Sequence, residues 1–123
     1  MQNDKDKFKK EFQERLIQFS VDIVHFCSRL REARNLYPLS DQLIRSATSI
    51  GANVVEAKAA SSRRDYTRFF EIACKSANET VYWLTILERS EPTFSIESKK
   101  LGGEATELAK ILGSAILTLK NKK

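Results

Sequence analysis

The run I-R-S-A-T-S-I-G-A-N-V-V-E-A, residues 44–57, lies between longer amphipathic segments, and its reading decides the fold. Leu43, Ala47, Ile50, Val54 and Ala57 recur at steps of three and four, the period of one helix face. Arg45, Ser49, Asn53 and Glu56 are spaced four, four and three. At about 100° per residue they fall within roughly 80° of one another, on the opposite side. The segment therefore reads as a helix with an apolar front and a polar back. Its flank is unusual: Ala52, Val55 and Ala59 are small or apolar where a solvated back carries Lys and Glu. Gly51 weakens a helix interior. Either it permits another helix to approach closely or it marks a tolerated kink.

The same period continues on both sides. Phe8, Phe12, Leu16, Phe19, Ile23, Phe26 and Leu30 form one face of a first helix, predicted over about 6–33. Ile17, Val21 and Val24 widen that stripe, so burial against more than one neighbour is expected. The chain breaks at Asn35-Leu36-Tyr37-Pro38, because Pro38 disfavours helix at Tyr37. Ser40 is the predicted N-cap of a second helix over about 41–60. Ser61-Ser62 interrupts it, and Ser62 with Asp65 imitates a capping box for a third helix over about 63–89. Tyr66, Phe69, Phe70, Ala73, Ala77, Leu84 and Leu87 line its core side. Pro92 stops it, Ser95 is positioned to cap, and a fourth helix follows over about 96–119. Gly102-Gly103 is expected to delay or fray the start of that helix. Four long helices joined by short loops predict an all-α, up-down-up-down antiparallel four-helix bundle, with residues 1–123 as a single domain.

Composition narrows the function. The chain has 123 residues, 41% hydrophobic and 30% charged, a globular profile with net charge +5. The charged N-terminal segment lacks the apolar core of a signal peptide, and no apolar run approaches the roughly 18 residues of a membrane span. A cytoplasmic protein with no membrane association is expected. Cys27 and Cys74 lie in helical patterns without a CxxC, which favours buried reduced thiols over a disulfide. The single His, His25, has Asp22 at i−3, but a di-metal carboxylate bundle needs a second such arm and further inward Glu residues. His25 is expected to be structural and partly buried. No phosphate-cradling Gly loop or Ser-His-Asp set appears. The expectation is a non-enzyme with no cofactor and no metal.

Folding the second helix back on the third about Ser61-Ser62 sets Arg45 level with Glu79, Ser49 with Lys75, and Glu56 with Arg68. Two readings stay open: a polar seam, buried in a subunit contact, or two solvated faces. The topology also gathers Lys5, Lys7, Lys9, Lys10, Lys58, Arg63, Arg64, Arg68, Lys120, Lys122 and Lys123 at one end, eleven of the 21 basic residues. In a ring these ends form a basic collar able to attract phosphate backbones without reading sequence. Lys7, Lys10, Lys58, Arg63, Arg64, Arg68, Lys120 and Lys122 are the candidate RNA contacts. Solvated terminal tails are the competing reading.

The run from Leu43 to Ala57 resembles the signature of the bacterial four-helix-bundle proteins encoded in 23S rRNA intervening sequences, Q-I-R-R-A-A-x-S-I-P-A-N-I-A-E-G. Arg45, Ala47, Ser49, Ile50, Ala52, Asn53 and Glu56 fit it directly. A second family block, Y-x-x-F-x-x-I-A-x-x-S-x-x-E, is matched by Tyr66, Phe69, Ile72, Ala73, Ser76 and Glu79. Tyr37-Pro38 fits an aromatic-Pro element before them. The chain departs from the pattern at Gly51, where Pro is frequent, and at Ala57, where Gly is common. The resemblance implies a left-handed bundle in ring-like homo-oligomers, commonly pentamers, with no known catalytic activity. Its link to ribosomal RNA is mainly genetic. A related branch, the accessory proteins of diversity-generating retroelements, contacts RNA and a reverse transcriptase. The expected function is a non-catalytic oligomeric scaffold or adaptor associated with RNA or a protein partner. The alternative is an accessory subunit of a nucleic-acid enzyme such as a retroelement reverse transcriptase.

Overall fold

A computed structural model describes residues 4–121. Helix α1 spans Asp4–Arg34, α2 Tyr37–Lys58, α3 Arg63–Ser90 and α4 Ser95–Asn121. A single 3₁₀ turn, Pro92–Phe94, precedes α4. The helices form a four-helix bundle in the cyclic order α1, α2, α3, α4. α3 packs extensively on both α2 and α4, whereas α1 and α4 barely approach each other.

Residue size explains that asymmetry. Ala47 on α2 and Ala73 and Ala77 on α3 are fully buried, and such small side chains let two backbones lie close. α1 instead contributes Phe12, Phe19 and Phe26 to the core, large rings that fill the wider space toward α4. Leu101, Leu108 and Leu112 meet that core from α4. On the surface, two Arg–Glu bridges cross the α1–α4 gap. The Arg15 guanidinium holds Glu104 with Nε–Oε2 at 2.7 Å and Nη2–Oε1 at 2.8 Å, and Arg29 pairs with Glu97.

Helix boundaries follow local chemistry, with some departures from the sequence reading. α1 ends as Asn35 turns left-handed (φ 54°), its N–H donating to the Arg31 carbonyl at 3.1 Å. Asn tolerates this conformation better than most residues. α2 starts at Tyr37 instead of residue 41. Pro38 sits in the first turn, where a missing N–H costs nothing, and this outweighs the restriction on the preceding residue. Ser40 is consequently not the N-cap; it is fully buried, and its hydroxyl donates to the Cys27 carbonyl at 3.4 Å. The C-terminus of α2 is Lys58 rather than residue 60. There, N–H groups of Ala59 and Ala60 bond back to Glu56 and Ala57 and tighten the last turn. Ser62 caps α3 as expected, accepting from the Asp65 N–H at 3.1 Å. Ser95 already has helical dihedrals and opens α4, so it is no cap. Gly102 and Gly103 lie inside continuous helix, with neither delay nor fraying of its start. Phe94, buried edge-on against Phe26 at 5.8 Å between centroids, anchors that start.

A Cβ added at Gly51 would stand 3.6 Å from Leu16 Cβ, an ordinary van der Waals separation. Gly51→Ala is therefore expected to stabilise the isolated subunit by about 0.5–1 kcal/mol, through lost unfolded-state entropy and better helix propensity. Urea denaturation of the two forms checks this.

Candidate interaction surfaces

Three features qualify as functional candidates, and each grows from one helix face. The first is polar. Ser46 and Ser49 of α2 point at Ser76 and Thr80 of α3. Thr80 Oγ1 is 2.9 Å from Ser46 Oγ and 2.8 Å from the Ser76 carbonyl oxygen. Ser76 Oγ is 3.0 Å from Ser49 Oγ. Asn53 extends the line, its Nδ2 donating to Ser49 Oγ at 2.9 Å and to the Ser49 carbonyl at 2.8 Å. Thr80 is fully buried and Ser46 and Ser76 nearly so. Small hydroxyls can satisfy one another here without holding the helices apart, as buried polar groups require.

This ladder differs in register from the expected seam: Ser49 meets Ser76, not its chain neighbour Lys75. Within the subunit, Arg45 does not pair with Glu79, nor Glu56 with Arg68, among the ion pairs of the described residues. Arg45, Glu56, Arg68, Lys75 and Glu79 are all exposed. Glu79 instead accepts from Trp83 Nε1 at 3.1 Å, and the Arg68 guanidinium lies over the Phe69 ring at 5.5 Å. Full charges stay in water because taking them out costs several kcal/mol. The hydroxyls beside them lose far less on burial.

The second feature is an exposed apolar strip. Ile17, Val21 and Val24 on α1 are 50%, 39% and 44% exposed, and Val55 on α2 is 52% exposed. Thr48, Gly51 and Ala52 join Ile17, Val21 and Val55 around a groove of about 270 Å³. No second neighbour within the described part of the subunit covers these residues, although the breadth of the α1 stripe predicts one.

The third is the end of the bundle shared by the start of α1, the α2–α3 turn and the close of α4. Lys58 donates to Gln13 across it, and Lys120 pairs with Glu71 at 2.7 Å. Lys7, Lys10, Arg63 and Arg64 are exposed. Lys122 lies outside the described residues. Tyr66 stacks on Phe70 at 4.9 Å and belongs to the core margin.

Groups with catalytic potential are sparse. His25 is exposed, correcting the partly buried placement. Cys27 is buried and its thiol donates to the Ser40 carbonyl at 3.6 Å; Cys74 is only half-buried. Burial raises both thiol pKa values, with a hydrogen bond of the Ser40 side chain opposing it at Cys27. Among the described residues no group of three or more His, Cys, Asp or Glu is placed to hold a metal ion. No helix among them is long and apolar enough to cross a membrane.

The family model for 23S rRNA-intervening sequence protein matches residues 9–114. The chain is also similar to a crystal structure from Bacteroides thetaiotaomicron, of a protein with unknown function from the S23 ribosomal protein family. That likeness has a TM-score of 0.81 and 38% identity, covering 85% of this chain and 97% of the other. No curated protein matches the chain.

Two outcomes are expected. Thr80→Val removes a buried hydroxyl and strands its partners, costing about 1–3 kcal/mol in chemical denaturation. Since the folded thiols hold their protons above the pH at which unfolded thiols ionise, stability falls as pH rises past the ordinary thiol range, about 8.5. A Cys27→Ala/Cys74→Ala double variant should show a flatter decline in thermal melts over that window.

Proposed function

The chain belongs to the family of 23S rRNA-intervening sequence proteins, and from that premise we propose that it is a non-catalytic scaffold. It works as a ring-shaped homo-oligomer, most simply a pentamer, whose basic end binds RNA. The observation that carries the reading is the apolar strip of Ile17, Val21, Val24 and Val55, continuous across two helices and open to solvent. Contiguous exposed apolar surface of this kind marks protein contacts. Arg45 and Glu56 are exposed on α2 and do not line the groove, so the charged residues of the sequence pattern stay outside the contact.

A ring with an odd number of subunits needs a second, different surface to receive the strip. Tyr82, Ile96 and Leu117, 60%, 88% and 65% exposed, supply large apolar side chains on the α3–α4 half. Ring closure repeats the basic bundle end around the axis. Lys7, Lys10, Lys58, Arg63, Arg64 and Arg68 then act together. Lys120 contributes less because Glu71 neutralises it. A collar of this kind reads backbone phosphate and not bases.

Native mass spectrometry of the purified protein tests the assembly. The expected result is a closed oligomer that Val21→Glu/Val55→Glu converts to folded monomer; a wild-type monomer refutes the reading. For RNA, Arg63→Glu/Arg64→Glu should weaken binding about tenfold or more at low salt, and wild-type affinity should fall steeply as salt rises. Absence of binding at about 50 mM salt removes the RNA part and leaves the ring standing.

A further inference from the structure

The arginines of α1 are all paired and those of α3 are not. On α1, Arg15, Arg29, Arg31 and Arg34 hold Glu104, Glu97, Asp41 and Glu91 respectively. On α3, Arg63, Arg64, Arg68 and Arg89 hold no carboxylate among the described residues, nor does Lys75. Arg64, Arg68, Lys75 and Arg89 are exposed, and at about 100° per residue they fall within roughly 60° of one another. They form one stripe down the outward side of α3, opposite buried Ala73, Ala77 and Leu84. Tyr82, exposed and edge-on to Trp83 at 5.3 Å between centroids, lies on the same line. Two carboxylates of α3 border the stripe and both are engaged. Glu71 is neutralised by Lys120 at 2.7 Å, and Glu79 accepts from Trp83 Nε1 at 3.1 Å. On the neighbouring α2, exposed Glu56 and Arg45 offset each other in charge.

We propose that this stripe is a track for single-stranded RNA. The strand leaves the basic bundle end at Arg64 and runs along α3, its phosphates on Arg68, Lys75 and Arg89 and a base stacked on Tyr82. The inference rests on the RNA reading of that end and adds the path and the strandedness. Period selects the ligand. Arg68, Lys75, Tyr82 and Arg89 recur every seven residues, in steps of about 10.5 Å of helix rise. Three stacked nucleotides at about 3.4 Å each rise about 10.2 Å, so a regular row of phosphates keeps step with the row of side chains. From Arg64 to Arg89 the stripe is about 37 Å long, the reach of about eleven such nucleotides. Tyr82 selects the strandedness: an aromatic ring among cations is a platform for an unpaired base, whereas a duplex keeps its bases within its own stack. A side this charged is a poor seat for a neighbour's apolar strip, which narrows the receiving surface of the ring to Ile96 and Leu117 of α4.

Fluorescence anisotropy of the full-length protein at about 50 mM salt tests it. The probes are a mixed-sequence RNA of about 12 nucleotides, a half-length strand of about 6, and the duplex of the longer strand. The longer strand should bind about tenfold tighter than its half. Lys75→Glu/Arg89→Glu should weaken the longer strand about tenfold and erase that advantage; if this variant melts below wild type, Lys75→Gln/Arg89→Gln replaces it. Lys100→Glu/Lys110→Glu, the same charge change on the α1 side of α4, should cost less than about threefold. Tyr82→Ser should weaken the single strand and leave the duplex unchanged. Equal losses from the α3 and α4 variants mean diffuse attraction and overturn the track. So does a Tyr82→Ser variant that binds the single strand like wild type. Loss of oligomer mass in Lys75→Glu/Arg89→Glu makes the stripe a subunit contact and refutes it. Polyglutamate that competes as well as RNA means a surface for acidic protein and refutes it equally. If Arg63→Glu/Arg64→Glu abolishes binding and Lys75→Glu/Arg89→Glu does not weaken it, the collar stands and the track falls. A wild-type protein that binds none of the three probes removes both.

Discussion

The contact between α2 and α3 holds the rest of the molecule in place. Two backbones come close there because alanines and hydroxyl residues face each other, and the hydroxyls satisfy one another in pairs, Ser46 with Thr80 and Ser49 with Ser76. Pairing of this sort is directional, so it sets the rotation of each helix about its axis as well as their separation. Once α3 presents Ser76 and Thr80 to α2, Lys75 and Glu79 are turned to solvent. Once α2 presents Ser49 and Asn53 to α3, Ala52 and Val55 are turned outward toward α1 and water. The exposed strip is thus a geometrical consequence of the buried ladder.

The opposite side of the bundle obeys a different constraint. α1 reaches the core through phenylalanines, whose size keeps its axis away from α4. The space is closed over much of its length by leucines from α4 and by the Arg15–Glu104 and Arg29–Glu97 bridges. These bridges are largely solvated, and exposed pairs of this type contribute less than about 1 kcal/mol. They span a gap without drawing it shut. An apolar cleft lies beyond them, toward the start of α1. A tight α2–α3 contact and a loose α1–α4 contact are therefore two outcomes of the same choice, small residues on one side and large ones on the other.

Much of this is legible in the residues. Apolar spacing locates all four helices, since burial at a 3.6-residue period follows from backbone geometry alone. Ser62 is readable as a cap because its bond to the Asp65 N–H spans only three residues. Ser40 and Ser95 depart from their expected roles for an instructive reason. A Ser before a helical run can cap it, but Ser40 is drawn into the α1–α2 contact and Pro38 proves compatible with the first turn. The same limit applies to the polar line of α2. Arg45, Ser49, Asn53 and Glu56 share a side in projection, yet among them it is the short Ser49 that bonds to α3, with Asn53 bonded to it in turn.

The sequence by itself determined the helix count, the apolar faces and the polar line of α2 with its small apolar flank, because these depend on periodicity and side-chain chemistry within one segment. The tertiary structure decided which hydroxyl meets which across the α2–α3 contact, and that Glu79 turns to Trp83 rather than Arg45. It also decided that Phe8 stands beside an open cleft. Those outcomes turn on helix rotation and separation, and a shift of one residue rotates a side chain by about 100°, far more than any spacing rule can resolve.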